Sequence, residues 1–378
     1  MKYPWKLIVK HDKLGICQNY GSFSIVLIFL VSVLFVNAAF AKAPLLTAKE
    51  LATPPPRIIR TCCSFGYELG VAGIPFIKKT DITSIGELGA HHYMGSSDEG
   101  NGNIYTSRGG FIDIGHLRDN ADWTAYLYLQ MLSVQPGEDE VEINLGHEGG
   151  AKTLVLKLPK EFDSIPIYQL AGKIAFDLSL WHEISTWYGA SYIPLIPERY
   201  SSFSPEDLYS NLLGINLGIR ALKSNLSYDE AMTQLISATL DSLEAVSTIE
   251  ETYLAMEKVE NIWWTSKKKL PSKKILMMRY LDASNDLSPW LVPDVMGHSN
   301  PYILHRPGEK LDDLYELKIK LNNKFPMKTW LISPEDGTIN QKDFDVLLSF
   351  IEQDIDDLNA KIALQYQKHR KKSSKEKI

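Results

Sequence analysis

Apolar residues recur at helical spacing over two long stretches of the chain. Leu117 to Leu132 carries Ala121, Tyr126, Leu127 and Leu129 among its apolar members and stops at Pro136-Gly137. Tyr168 to Tyr188 repeats Leu170, Ile174, Leu178 and Trp181 before Gly189, Pro194 and Pro197. Both are predicted helices. Ser204-Pro205-Glu206-Asp207 sets a capping serine, a first-turn proline and acids in order, so a third helix is predicted over Leu208 to Leu222. Within it Gly214 and Gly218 stand four apart, a spacing that permits close contact with another helix. Ser227-Tyr228-Asp229-Glu230 opens a fourth helix, expected to run to about Ile249. Lys310 to Leu321 reads as a short helix and Lys342 to Gln367 as a longer one.

Strand signals are fewer. Glu140 to Leu145 alternates at period two, His147-Glu148-Gly149-Gly150 supplies a turn, and Leu154 to Leu158 returns. A hairpin tip accounts for His147 and Glu148 without any chemistry. Phe111 to Ile114 is a short strand or the approach to a helix. No repeat of fixed period occurs. The expected fold class is therefore mainly α, of the α+β kind: a helical core with a small antiparallel hairpin and long glycine-rich loops.

The ends of the chain change this picture. Lys2, Lys6, Lys10 and Lys13 precede an apolar block from Phe23 to Val36 and the small-residue exit Ala39-Phe40-Ala41, the pattern of a secretory signal over residues 1–41. Retention of the block as an N-terminal membrane anchor is the alternative. Either way the bulk of the chain is expected in the periplasm or secreted. Residues 42–59, ending in Pro54-Pro55-Pro56, read as a proline-rich leader, 60–300 as the main helical domain, 301–367 as a C-terminal helical extension and 368–378 as a basic tail. Loss of residues 1–41 removes four lysines and Asp12, which takes the formal net charge from -6 to -9. That balance argues against a nucleic-acid surface. The tail offers peripheral contact with anionic lipid or envelope polymer. Beyond residue 41 the cysteines are Cys62 and Cys63, too few for a disulfide scaffold.

Candidate chemistry is densest in Gly110 to Trp123. If a helix begins near Gly115, then His116, Asp119 and Asn120 share a face, and Asp122 continues from Asp119. Arg118 points away from His116, toward Asp122 or an anionic substrate. A second cluster, His182-Glu183, lies among Leu180, Trp181, Ile184 and Trp187, where ionisable groups need partners. Imidazole nitrogens and carboxylate oxygens are zinc ligands, and a zinc-bound water attacks esters or amides near neutral pH. This reading assigns His116, Asp119, Asp122 and His182 as metal ligands and Glu183 as the proton acceptor, with His91, His92 and Glu99 as ligands in reserve. The His-Glu-x-x-His pattern is absent, because Thr186 occupies its last position. A metal-free alternative makes Cys63 the nucleophile and a histidine such as His116 its base.

Gly109-Gly110-Phe111-Ile112-Asp113 with His116, Trp181-His182-Glu183-Ile184 followed by Trp187-Tyr188-Gly189, and Ser204 through Gly214 resemble an uncharacterised family of exported bacterial proteins known as a domain of unknown function. The resemblance spans roughly residues 60 to 300. It implies one long domain, brings no activity, and draws attention to Glu206, Tyr209 and Asn211. Three functions compete on these observations. They are an exported, metal-dependent hydrolase acting on cell-envelope polymer or a lipid-like small substrate, a non-enzymatic envelope-binding or assembly protein, and a cysteine-dependent acyl or amide hydrolase.

Overall fold

The computed structural model describes residues 43–375, apart from 57, 61–64, 68, 71–77, 80, 135–139, 158–165, 191–198, 200, 266–274, 283–285, 296–299, 323–324 and 326–334. The signal-like segment 1–41 and Cys63 thus lie outside the described residues. No described helix is long and apolar enough to cross a membrane.

A short hairpin, β1 (Asn103–Thr106) and β2 (Gly110–Asp113), runs directly into helix α1 (Ile114–Ser133). Asp113 ends the strand and caps the helix, its Oδ1 accepting from the His116 N–H at 3.0 Å. Through its first four turns α1 is buried on every side, charged residues included. A helix covered all round must have neighbours on each face. Two of those neighbours are α2 (Ile167–Trp187) and α3 (Asp207–Lys223), and the loops carrying Arg60 and Leu88 to Glu99 cover another face.

Contact between α1 and α3 depends on the glycine pair. A Cβ at Gly214 would sit 2.0 Å from the Leu117 carbonyl oxygen, and one at Gly218 would sit 3.0 Å from that of Ala121. The close approach fixes how far the α3 N-terminus stands from the first turn of α1. The predicted fourth helix, α4 (Tyr228–Ser242), stops seven residues before the expected Ile249, where a further helix begins, α5 (Ile249–Lys258). Between them Glu244 takes a positive φ of 57°, and Thr248 with Glu251 forms a new capping box.

Strands β3 (Val141–His147) and β4 (Gly150–Leu156) form the expected hairpin. The sheet then grows by a strand that the sequence reading missed. Lys310 to Leu321 is no α-helix: a 3-10 segment, Glu309–Leu314, gives way to β5 (Tyr315–Leu321), antiparallel to β4 with Leu154 opposite Leu317. Its lysines and leucines are good helix formers, but they alternate. Tyr315, Leu317, Ile319 and Leu321 are buried while Lys320 is exposed, and the open edge of β4 supplies backbone partners. A fourth strand, β6 (Thr338–Ile339), extends the sheet beyond β5. Helix α6 (Phe344–Lys375) follows, so its backbone continues through most of the segment read as a basic tail. It packs on α2, where the Trp181 ring stacks with Phe344 and Phe325 at 5.9 and 5.6 Å.

Candidate functional site

Three helices bring ionisable groups together in the core. The capped start of α1 supplies Asp113 and His116, the second half of α2 supplies His182 and Glu183, and the entry to α3 supplies Glu206 and Asp207. The His116 and His182 rings lie 6.2 Å apart, nearly perpendicular. One ligand atom from each of His116, His182 and Glu183 lies within 4.8 Å of the other two, the one such grouping of histidine, cysteine and carboxylate side chains among the described residues.

Each member is held by a further group. His182 Nδ1 lies 2.7 Å from Glu148 Oε1, and Glu148 Oε2 accepts from Lys152 Nζ at 3.0 Å. His116 Nδ1 lies 3.0 Å from Asp207 Oδ1. The Glu148 carboxylate on His182 Nδ1 favours the tautomer with the proton there, which makes Nε2 the lone-pair nitrogen of that ring. Glu183 Oε2 accepts from the Phe203 N–H at 2.6 Å. To present that N–H, Phe203, fully buried, adopts a positive φ of 57°, a conformation that costs about 1–3 kcal/mol for a residue with a side chain.

The charge balance is unfavourable. Burial pushes the Glu183 carboxyl up to about 7, and nearby Asp207 adds to the rise while His182 and His116 oppose it. Glu206 is raised well above the ordinary carboxylate value, again by burial first and Asp207 second. Buried Arg279 reaches both Glu183 and Asp207 by its charge, and burial lowers its own pKa to about 10. A cavity of about 40 Å³ opens beside the rings, bounded by His116, Asn120, Trp123, His182 and Asn211 among others.

The remaining sequence candidates have other work. Asp119 also borders that cavity, but its carboxylate accepts from the backbone N–H groups of Ile59 and Arg60 and from the Arg60 guanidinium. Asp122 accepts from Arg60 at 2.8 Å, Met94 N–H at 3.0 Å and Tyr228 Oη at 3.2 Å, and pairs with His91. Neither aspartate belongs to the histidine grouping, so shared helical spacing with His116 did not bring shared partners. Arg118 turns to the carbonyls of Leu88 and Gly89 and to Glu99, not to Asp122 as its ion-pair partner. Glu99 itself is bound by Arg60, and His92 faces Asp229, so the reserve ligands serve elsewhere.

Glu148 is the clearest omission of the sequence reading, which left it as a turn residue. Gly149 holds the turn at a positive φ of 65°, and Glu148 folds inward until it is 5% exposed. Asp207 carried a signal that capping explained, and Asp113 entered only through the family resemblance. Asn211 bonds Asn120 across α1 and α3 at 2.7 Å, while Tyr209 donates to the Tyr302 carbonyl away from the rings.

Fold and site together define an α+β protein whose helices converge on a buried histidine–carboxylate centre. The chain belongs to the family described as protein of unknown function (DUF4056), which matches residues 50–293 and so includes every residue of that centre. No curated protein and no solved structure matches the chain.

Proposed function

We propose that the protein is a metal-dependent hydrolase, with His116, His182 and Glu183 as three protein ligands of a zinc ion and a water in the fourth position. The observation that carries this reading is the convergence of their ligand atoms within 4.8 Å of one another. The carboxylate behind each imidazole supports it, since such partners orient metal-binding histidines and raise their basicity. In this arrangement Glu183 is a ligand, and the proton-acceptor role first assigned to it passes to another cavity group. Zinc would supply an acidic water for attack on an ester or amide. Export through residues 1–41 would put this chemistry in the cell envelope, where polymer or lipid-like material is the substrate.

A second reading has its own support. The cavity, about 40 Å³, has room for a few waters and no more, which suits a non-enzymatic envelope protein with a buried structural ion. Elemental analysis of protein purified without added metal tests the shared claim. We expect about one zinc per chain, lost in His116→Ala and His182→Ala variants that keep the wild-type circular dichroism. Zinc-free protein with an unchanged unfolding curve on zinc addition would end both metal readings. Zinc-dependent turnover of ester or amide substrates would then separate the enzyme from the structural protein.

A further inference from the structure

The chain holds a second and larger cavity, about 510 Å³ against about 40 Å³ beside the rings. It lies among the middle and end of α3, the end of α4 and the segment 302–308, and none of the proposed zinc ligands lines it. Small-molecule sites occupy about 300–1,000 Å³.

The wall of this cavity is built by the fold itself. Tyr209 Oη donates to the Tyr302 carbonyl at 2.7 Å, the Tyr302 N–H donates to the Arg108 carbonyl at 2.8 Å, and Leu304 exchanges two backbone hydrogen bonds with Leu287. Leu213, Leu217, Leu243 and Leu304, all buried, give it an apolar floor. Arg220 and Arg306 also line it.

Charge around the cavity is one-sided. No carboxylate lines it, although the chain as a whole carries a formal net charge of -6. The lining histidine, His305, is engaged by Asp286 at 2.9 Å. Arg306 makes no ion pair among the described residues; its guanidinium lies over the Phe176 ring at 4.6 Å, and its buried Nε has no hydrogen-bond partner. A ring face attracts a guanidinium but accepts no conventional hydrogen bond from its in-plane N–H donors. Arg220, exposed at the rim, likewise pairs with no carboxylate among the described residues. Two unpaired guanidiniums beside a leucine floor are the complement of a molecule with an anionic head and an apolar body.

We propose that this cavity binds a small anionic amphiphile of the fatty-acid class, its carboxylate taken by Arg306 and Arg220 and its alkyl body laid along Leu213, Leu217, Leu243 and Leu304. The planar guanidinium fork matches a carboxylate, and burial of the alkyl body against the leucines supplies the apolar share of the binding. The proposal is independent of the zinc reading, because the two sets of residues do not overlap.

The test is calorimetric titration of the full chain with decanoate, beside decanol as the body without the charge and acetate as the charge without the body. One decanoate is expected per chain, with decanol and acetate weaker by about tenfold or more. Arg306→Gln should weaken decanoate by about tenfold and leave decanol unchanged, a split that a general loosening of the fold would not give. Ala238→Trp, at an exposed lining position, is the second variant if Arg306→Gln does not fold, and should block decanoate in protein that keeps the wild-type circular dichroism. Absence of decanoate binding, equal affinity for decanoate and decanol, or binding indifferent to both variants would overturn the proposal. Binding to phosphatidylglycerol vesicles without binding of decanoate would overturn it as well, by making the two arginines a membrane contact.

Discussion

Two polar clusters hang on the same helix, and they differ in how closely protein charges balance within them. Arg60 stands amid Glu99, Asp119 and Asp122, with Arg118 against Glu99 and His91 against Asp122. Two guanidiniums meet three carboxylates there, and the oxygens of Asp122 also find Met94 N–H and Tyr228 Oη. Around His116 and His182, the Arg279 guanidinium reaches Glu183 and Asp207 by its charge, buried Glu206 lies beside Asp207, and Asp113 Oδ2 has no hydrogen-bond partner. Burial is similar in both places. The difference teaches that burial of charge does not by itself mark a functional site; the residual demand for cation does. A network whose charges are closed by protein groups fixes structure, and one left open, with carboxylates in excess, calls for a cation or a proton.

The largest effect should come from breaking the closed cluster. Arg60→Ala leaves Glu99, Asp119 and Asp122 buried without their central cation, and removal of one partner from a buried pair costs about 3–5 kcal/mol. Urea unfolding should show a loss of that order, whether or not metal is present. A loss below about 1 kcal/mol would mean that water or Arg118 replaces Arg60, and the contrast between the clusters would weaken.

The open cluster should instead respond to pH and metal. Glu183 has a folded-state value of about 7 against an ordinary 4.5, so the folded protein holds its proton more firmly than the unfolded chain does. For metal-free protein, this group leaves stability undiminished below about pH 4.5 and removes it as pH rises through about 7. At about 1.4 kcal/mol per pH unit the loss is on the order of 3 kcal/mol. The measurement is unfolding free energy across that range in chelator, wild type against Glu183→Gln. The variant should lack the decline, and saturating zinc should remove it from wild type. A wild-type curve that tracks the variant in chelator would contradict the charge imbalance described here.

The parts of this molecule that follow from local rules were legible in the sequence, and the parts that follow from distant partners were not. Periodicity and capping residues located α1, α2, α3 and the β3–β4 hairpin, because those signals lie within a few neighbouring residues. The period-two alternation of Tyr315 to Leu321 was just as local, but it was outweighed by helix-forming lysines and leucines until the edge of β4 was known. His116 and His182 stood out as ionisable groups in apolar runs. Asp119 and Asp122 share α1 with His116, and only the fold reveals that Arg60, some sixty residues earlier, claims them. Glu148 was hidden for a similar reason, since its partner His182 is thirty-four residues away.

Gly214→Ala tests whether the helix spacing, and not only the side chains, belongs to the open cluster. The new Cβ, 2.0 Å from the Leu117 carbonyl oxygen, must force α1 and α3 apart. Overpacking of this kind costs about 1–3 kcal/mol. The Arg60 cluster joins α1 to the loops before it, whereas His116 and Asp207 sit on the two helices being separated. Metal affinity should therefore fall further than stability predicts, and Gly218→Ala, with 3.0 Å available, should do less of both. Equal loss in the two variants would show that the spacing is slack.

The smallest predicted effect concerns a residue that touches no proposed ion. Glu148 receives Lys152 on one oxygen and His182 Nδ1 on the other, and its own carbonyl accepts from Trp181 Nε1 at 2.8 Å. Glu148→Gln keeps the shape and removes the charge that steadies the Nδ1 proton, so His182 becomes a weaker and less well-aimed donor. Partners of this kind are worth about 10–100-fold in metal affinity. Competition with a chromogenic chelator should show zinc binding weakened within that range, while the unfolding curve in chelator also shifts, because buried Lys152 is left without its carboxylate. If affinity does not move, His182 is a ligand held by its helix alone, and the carboxylate behind it is packing. If affinity falls no further than the loss of chelator stability accounts for, Glu148 belongs with the closed clusters, and what separates the two regions is narrower than the charge count makes it.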